Sequence, residues 1–213
     1  MTRNTVRSRT SYHVGNLAPR LLSAAREMLE QVGPNKLSLR AVSEKVGVSS
    51  TAAYHHFANR AELISQLAAQ GFRELALALI DRDSGSAGTG KLRNASLAYF
   101  SFARNNPALY QLMFGPEVSL GEMTPEARKA RLEAFGELQR IIGEYLQKPV
   151  DSREVRQASL AAWSHSHGLA SLVIHNVIQF PEDMTDERFV DSSLQGFQYL
   201  FHVPSTSSEP KQE

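Results

Sequence analysis

Residues Leu37–Arg60 read LSLRAVSEKVGVSSTAAYHHFANR. Apolar side chains recur there at helical spacing in two short runs split by Gly47, the pattern of a helical hairpin with glycine at its turn. Ser38 precedes the first run and Ser49 the second, each placed to accept a hydrogen bond from a free N–H of the first helical turn. In that register Val42, Val46, Val48, Ala53 and Phe57 fill the seam between the helices, and the small Ala53 permits close approach. The opposite face of the second helix then shows Ser50, Thr51, Tyr54 and His55, all able to form hydrogen bonds. Short polar side chains at a helix N-terminus, with aromatics one turn later, suit a helix that enters the major groove of DNA. Other compact helical hairpins share this spacing, so docking against a protein fits the same residues.

Outward from this hairpin the spacing stays helical. A helix is expected from Leu17 to Val32, stopped by Gly33-Pro34, and a long one from Asn59 to about Asp83. Further helices are expected at about 91–105, 107–114, 124–147, 152–179 and 186–202, with breaks at Pro107, Gly115-Pro116, Pro149 and Pro181. No run alternates as a strand would. The expected fold is all-α: an N-terminal three-helix helix-turn-helix domain and a larger helical regulatory and dimerisation domain, with about nine helices in total. The expected organisation is a basic arm at 1–16, a DNA-binding domain at 17–63, a larger domain at 64–203, given ligand binding and dimerisation by the family resemblance described below, and a tail at 204–213.

The chain has 213 residues and no cysteine, which excludes disulfides, thiolate nucleophiles and Cys-ligated metal, and fits a reducing compartment. Its first residues, MTRNTVRSRTSYH, lack the apolar core of a secretory signal, so the expected location is the cytoplasm. From Gln157 to Pro181 no charged residue occurs, but His165, His167, His175, Asn176 and several serines make that stretch too polar for lipid, and no membrane partner is expected. The net charge of +1 is a cancellation. Residues 1–63 hold nine Lys and Arg against four Glu, a net +5, and the remainder carries a net −4. A polyanion is drawn to one end only.

Five segments resemble a known family. Tyr12-His13-Val14-Gly15-Asn16-Leu17, LSLRAVSEKVGVSSTAAYHHF at 37–57 and Asn59-Arg60-Ala61-Glu62-Leu63 look like the N-terminal domain of TetR/AcrR-type transcriptional regulators. FARNNPALYQLMF at 102–114 and AAWSHSHGLASLVI at 161–174 resemble the C-terminal domain named for its Trp-His-Gly signature, here Trp163, His167 and Gly168. Ser43 and Val46 stand where alanine is common in the family, and Arg60 where lysine is; His55 occupies a position often held by another aromatic. The resemblance implies a sequence-specific transcriptional regulator, most simply a repressor that binds a palindromic double-stranded operator as a homodimer and is released by a small apolar effector. Carried over, it places Ser50, Thr51, Tyr54 and His55 at bases or nearby phosphates, with Ser38, Arg40, His56 and Arg60 gripping the backbone, and Ser49 also counts among the DNA-binding residues. His56 packs beside Phe57 in an alternative reading. Arg3, Arg7 and Arg9 of the arm either enter the minor groove or merely solubilise.

In the second half, the expected helix 152–179 shows two stripes. Leu160, Ser164, Gly168, Ser171, His175 and Ile178 form one, assigned with Val190, Leu194, Phe197 and Phe201 to a two-fold dimer interface. Trp163, His167, Ala170, Ile174 and Val177 form the next and are expected to face the interior. The resemblance implies a cavity there, with Tyr99, Phe102, Tyr110, Met113 and Phe114 lining it beside Trp163 and His167; an ordinary core is the other reading of these aromatics.

Several apparent sites dissolve on inspection. Gly85–Lys91 begins like a phosphate-binding loop, but Leu92 stands where Ser or Thr must bind magnesium. His165 and His167, two apart on a helix, point about 200° from each other and cannot share an ion. No cofactor, no metal and no catalytic residues are expected, since no nucleophile–base–carboxylate set is visible. Two competing readings are a small helical enzyme with His167 as base, and a helical protein-interaction module.

Overall fold

A computed structural model describes residues 17–83, 89–118 and 123–201, without the side chains of Asp83, Thr89, Gln198 and Phe201. The expected arm at 1–16, most of the linker with its phosphate-loop-like segment, and the tail at 204–213 lie outside the described residues. Nine α-helices and two short 3-10 turns make up the described chain, with no strand among the described residues. The helices are α1 (Leu17–Val32), α2 (Leu39–Val46), α3 (Ser50–Tyr54), α4 (Arg60–Asp83), α5 (Thr89–Asn105), α6 (Pro107–Phe114), α7 (Pro125–Leu146), α8 (Arg153–Ile174) and α9 (Asp186–Phe201).

Local chemistry sets most of the boundaries. Gly33, at φ 72°, ends α1, and Gly47, at φ 77°, ends α2 in the left-handed region that favours glycine. Ser38, Ser49, Thr124 and Ser152 each accept a hydrogen bond from the N–H three residues on, capping α2, α3, α7 and α8. At the head of α4, Asn59 Oδ1 accepts from Glu62 N at 2.9 Å while Glu62 Oε2 accepts from Ala58 N at 2.7 Å, a reciprocal cap.

α4 is the spine. Leu63, Ile64, Leu67, Ala68, Phe72 and Leu75 are buried, and the helix packs along α5, α6 and α7. Over Arg60–Arg82 it is long and apolar enough to cross a membrane, yet these side chains are covered by protein. The expected domain boundary at 63/64 falls inside this helix, and one core runs from Leu21 of α1 to Val190 of α9. Gly71 lets α6 lie close against α4: a Cβ there would sit 2.5 Å from Met113 Sδ and 2.9 Å from Leu109 Cδ2.

α8 is shorter than its periodicity suggests. It stops at Ile174; Asn176 takes φ 56°, and the N–H groups of Val177 and Ile178 both donate to Leu172 O, at 2.9 and 3.1 Å. Phe180 then stacks on Phe100 and meets Phe189 at a tilt. Ile178, expected on the dimer stripe of a continuous helix, therefore lies in the turn beyond it.

Candidate nucleic-acid interface

The hairpin closes as its pattern requires. Val42 and Ala53 are fully buried, Phe57 nearly so, and Val46 and Val48 pack against them. This leaves the outer face of α3 to water. Tyr54 is 54% exposed, Thr51 and His55 are exposed, and Ser50 is half-buried at the helix start. His56 is half-buried beyond the last turn of α3. Ser38 and Ser49 are occupied as caps, from Ala41 N and Ala52 N, both at 3.2 Å. A capping oxygen orients the helix N-terminus, whose remaining N–H groups favour an anion.

Two basic side chains sit differently from the expectation of open phosphate contacts. Arg60 is half-buried and turns back on the α1–α2 connection, donating from Nε to Leu37 O at 2.8 Å and from Nη2 to Pro34 O at 2.6 Å. It braces that loop, and the local sequence signal was its place beside the reciprocal cap of α4. Arg40 is exposed and pairs with Glu44 at 3.0 Å, an i,i+4 contact that water and salt largely screen. Lys45 pairs with Glu27 at 3.0 Å. The net +5 of residues 1–63 divides into +3 from the arginines of 1–16 and only +2 from 17–63.

The head is tied to the body through Arg26 of α1. Its guanidinium donates to Asn106 Oδ1 at 2.6 Å and to Glu74 Oε2 at 3.4 Å. Asn106 begins α6 but does not cap it; its amide is spent on Arg26 and on Phe102 O, at 2.9 Å. Sequence reading missed this junction because its partners lie 48 and 80 residues apart.

The residues expected to line a cavity are mostly brought together, but as packed core. Tyr99, Tyr110, Phe114, Trp163 and His167 meet edge-on or tilted, with centroids 4.6–6.5 Å apart. Met113 packs on Gly71, and Phe102 is buried. Tyr110 Oη lies 2.7 Å and Tyr99 Oη 3.1 Å from His167 Nδ1. Burial pushes both phenols up, so they keep their protons; burial, with the charge of His175, pushes the imidazole down. A ring nitrogen has one lone pair or one N–H to share, and Tyr110 is its nearer partner; Tyr99 Oη also lies 3.4 Å from Tyr110 Oη, and His167 Nε2 lies 3.5 Å from Ser171 Oγ. This network is satisfied within itself. A cleft of about 850 Å³ lies between α5, α7, α8 and α9, and none of the seven residues lines it.

The α9 stripe expected at a dimer interface is partly turned inward, with Phe197 still 38% exposed. Val190 is buried, and Leu194 and Phe197 line that cleft beside His165. Phe201 has no described side chain. On α8, Ser164 is exposed, Ser171 and Gly168 are half-buried, and a Cβ added at Gly168 would meet nothing within 4 Å. Outward-facing apolar groups are Leu160 at 64%, Tyr199 at 76% and Leu200 at 71% exposure. No group of three or more His, Asp or Glu side chains that could hold a metal occurs among the described residues.

A capped helix-turn-helix head rooted on an all-helical body defines a DNA-binding regulator. Residues 21–67 match the model of the bacterial regulatory proteins of the TetR family, and residues 92–197 match the tetracyclin repressor-like C-terminal domain. The chain belongs to the TetR family of transcriptional regulators. The C-terminal match carries that description and not the Trp-His-Gly subtype. An uncharacterized HTH-type transcriptional regulator, YobS, of Bacillus subtilis is 29% identical over 101 residues, 47% of this chain. The chain spans about half (53%) of that relative's length. A solved protein of unknown function from Rhodococcus sp. RHA1 is 26% identical, with 89% of this chain and 97% of that one aligned at a TM-score of 0.74. A TetR-family regulatory protein from Rhodococcus RHA1 aligns over 84% and 95% at 20% identity and a TM-score of 0.61. The regulator FadR from Bacillus subtilis, solved in complex with stearoyl-CoA, aligns over 83% and 95% at 14% identity and a TM-score of 0.64.

Proposed function

We propose that this regulator is a cytoplasmic repressor that binds a palindromic operator as a homodimer and lets go when a small molecule binds its C-terminal domain. The observation that carries the reading is the outer face of α3: Thr51, Tyr54 and His55 stand in water on a helix held from behind by Val42, Ala53 and Phe57. Tyr54 and its neighbours read base edges, and the N-termini of α2 and α3, with the arm's three arginines, hold phosphates. Arg40 adds a phosphate contact when it leaves Glu44. Arg60 acts by holding the α1–α2 loop, and His56 supports the end of the recognition helix.

The outward face of α8 and α9 supports a dimer. Leu160, Ser164, Gly168 and Leu200 offer a surface where a second copy's helices approach closely, and an isologous pairing sets two recognition helices about 34–36 Å apart for successive major grooves. Effector control needs a ligand that binds the two dimer geometries unequally. A ligand-bound fold relative supports that part, and the Arg26–Asn106–Glu74 junction couples α6 to the head.

The reading is tested by titrating full-length protein onto random duplex and onto sites selected from a random library, across a salt series. Binding should be steeply salt-dependent on both and far tighter on selected sites. Salt-insensitive binding, or none, refutes it.

A further inference from the structure

The cleft between α5, α7, α8 and α9 has about 850 Å³, within the range of about 300–1,000 Å³ usual for small-molecule sites. Side-chain size makes the space. Ala158, Ala161 and Ala162 of α8 stand opposite Leu138 and Ile142 of α7, where larger residues would close it. Its four walls are helices of the C-terminal half.

Its charges cancel. Arg93 donates from Nε and Nη2 to the two carboxylate oxygens of Asp191, at 2.5 and 2.8 Å, which leaves neither ion available to a charged guest. Among the described residues, the buried side-chain polar atom left without a partner belongs to His165. Its ring borders the cleft edge-on to Phe197, with centroids 4.7 Å apart, and its Nε2 is sealed from water without a hydrogen-bond partner. A buried nitrogen left unpaired is a standing cost that a guest can remove.

We propose that this cleft is the effector site and that it takes an uncharged, mainly apolar molecule whose one hydrogen-bonding group reaches His165 as Phe197 swings aside. The proposal rests on the reading of the chain as an effector-controlled regulator and names the ligand class for it. Burial pushes the imidazole below its ordinary value of 6.5, so it meets the guest as a neutral donor or acceptor. A carboxylate or an ammonium guest would have to break the Arg93–Asp191 pair to be matched.

The test compares three probes with one ten-carbon body: 1-decanol, decanoate and decylammonium. Each is titrated calorimetrically into full-length protein without DNA, and then added to the protein–operator complex. The alcohol is expected to bind once per protomer, at least tenfold tighter than either ion. Ala162→Trp should abolish binding and His165→Phe should weaken it about fivefold, the worth of one hydrogen bond, in proteins with parental helical circular dichroism. Ala161→Trp, at the exposed edge of the cleft, replaces Ala162→Trp if that variant misfolds. Equal affinity for the ions, undiminished binding by the tryptophan variants, or no binding of any probe overturns the proposed site. Binding in the cleft that leaves operator affinity unchanged overturns the effector reading instead.

Discussion

Arg60→Ala separates a brace from a phosphate grip. In the structure both hydrogen bonds of the guanidinium go to carbonyls of the connection between α1 and α2, Leu37 O and Pro34 O. A hydrogen bond from a charged donor contributes about 1.5–3 kcal/mol, and since this half-buried site lets water reach the freed carbonyls, about 1 kcal/mol for each bond is the fair share. The expected loss is about 2 kcal/mol, which for a chain of this size lowers Tm by about 4–8 °C. Thermal unfolding at fixed protomer concentration measures it, and fluorescence anisotropy across a salt series measures DNA binding below the transition. If Arg60 braces the loop, the slope of log affinity against log salt stays unchanged, whereas a lost phosphate contact flattens it by about 0.9. Arg60→Lys keeps the charge but not the fork, so it should lose most of the stability that alanine loses. An unchanged Tm with a slope flattened by about 0.9, restored by lysine, would refute the brace.

Tyr54→Ala removes an exposed side chain, so stability should stay within about 0.5 kcal/mol while selected-site affinity falls by about 1–3 kcal/mol; equal loss on random duplex in the same assay speaks against base contact. Ala53→Leu forces a larger group into a fully buried seam and should cost about 1–3 kcal/mol by thermal unfolding, with binding to all DNA weakened. His165 and His167 have folded pKa values below the ordinary 6.5, mainly through burial. The unfolded chain takes up their protons first as pH falls, so their share of stability is present above about 6.5 and is lost progressively below it. Tm should therefore drop between about pH 7 and 5.5, and His167→Gln should shallow the drop; a flat profile in the parent contradicts the buried neutral state.

The DNA-binding head was legible because every device there is local: serine caps, glycine ends and a seam within 24 residues fix α2 and α3. The C-terminal half yields less, because periodicity marks an apolar face without saying what covers it. His175–Phe180 continues the apolar pattern of α8, yet the chain turns at Asn176 so that Phe180 can stack on Phe100, 75 or more residues from the turn in sequence terms. The aromatics of α5, α6 and α8 look alike whether they line a cavity or fill one; here Tyr110 and Tyr99 close on His167. A signal for the actual cleft was present in the alanines at 158, 161 and 162, small residues on one helical face opposite leucine and isoleucine. Arg60 reads as a backbone contact because charge and position are visible in sequence, whereas the carbonyls it holds, Leu37 O and Pro34 O, are not.

Sequence-specific recognition of duplex DNA by α3 is read most plainly by selection from a random duplex library with the full-length protein. The expected result is enrichment of an inverted repeat whose half-sites lie one helical turn apart, about 34–36 Å, bound at least about a thousandfold tighter than random duplex and losing that preference in Tyr54→Ala. Selection that enriches no motif, with equal binding to every sequence, would contradict it.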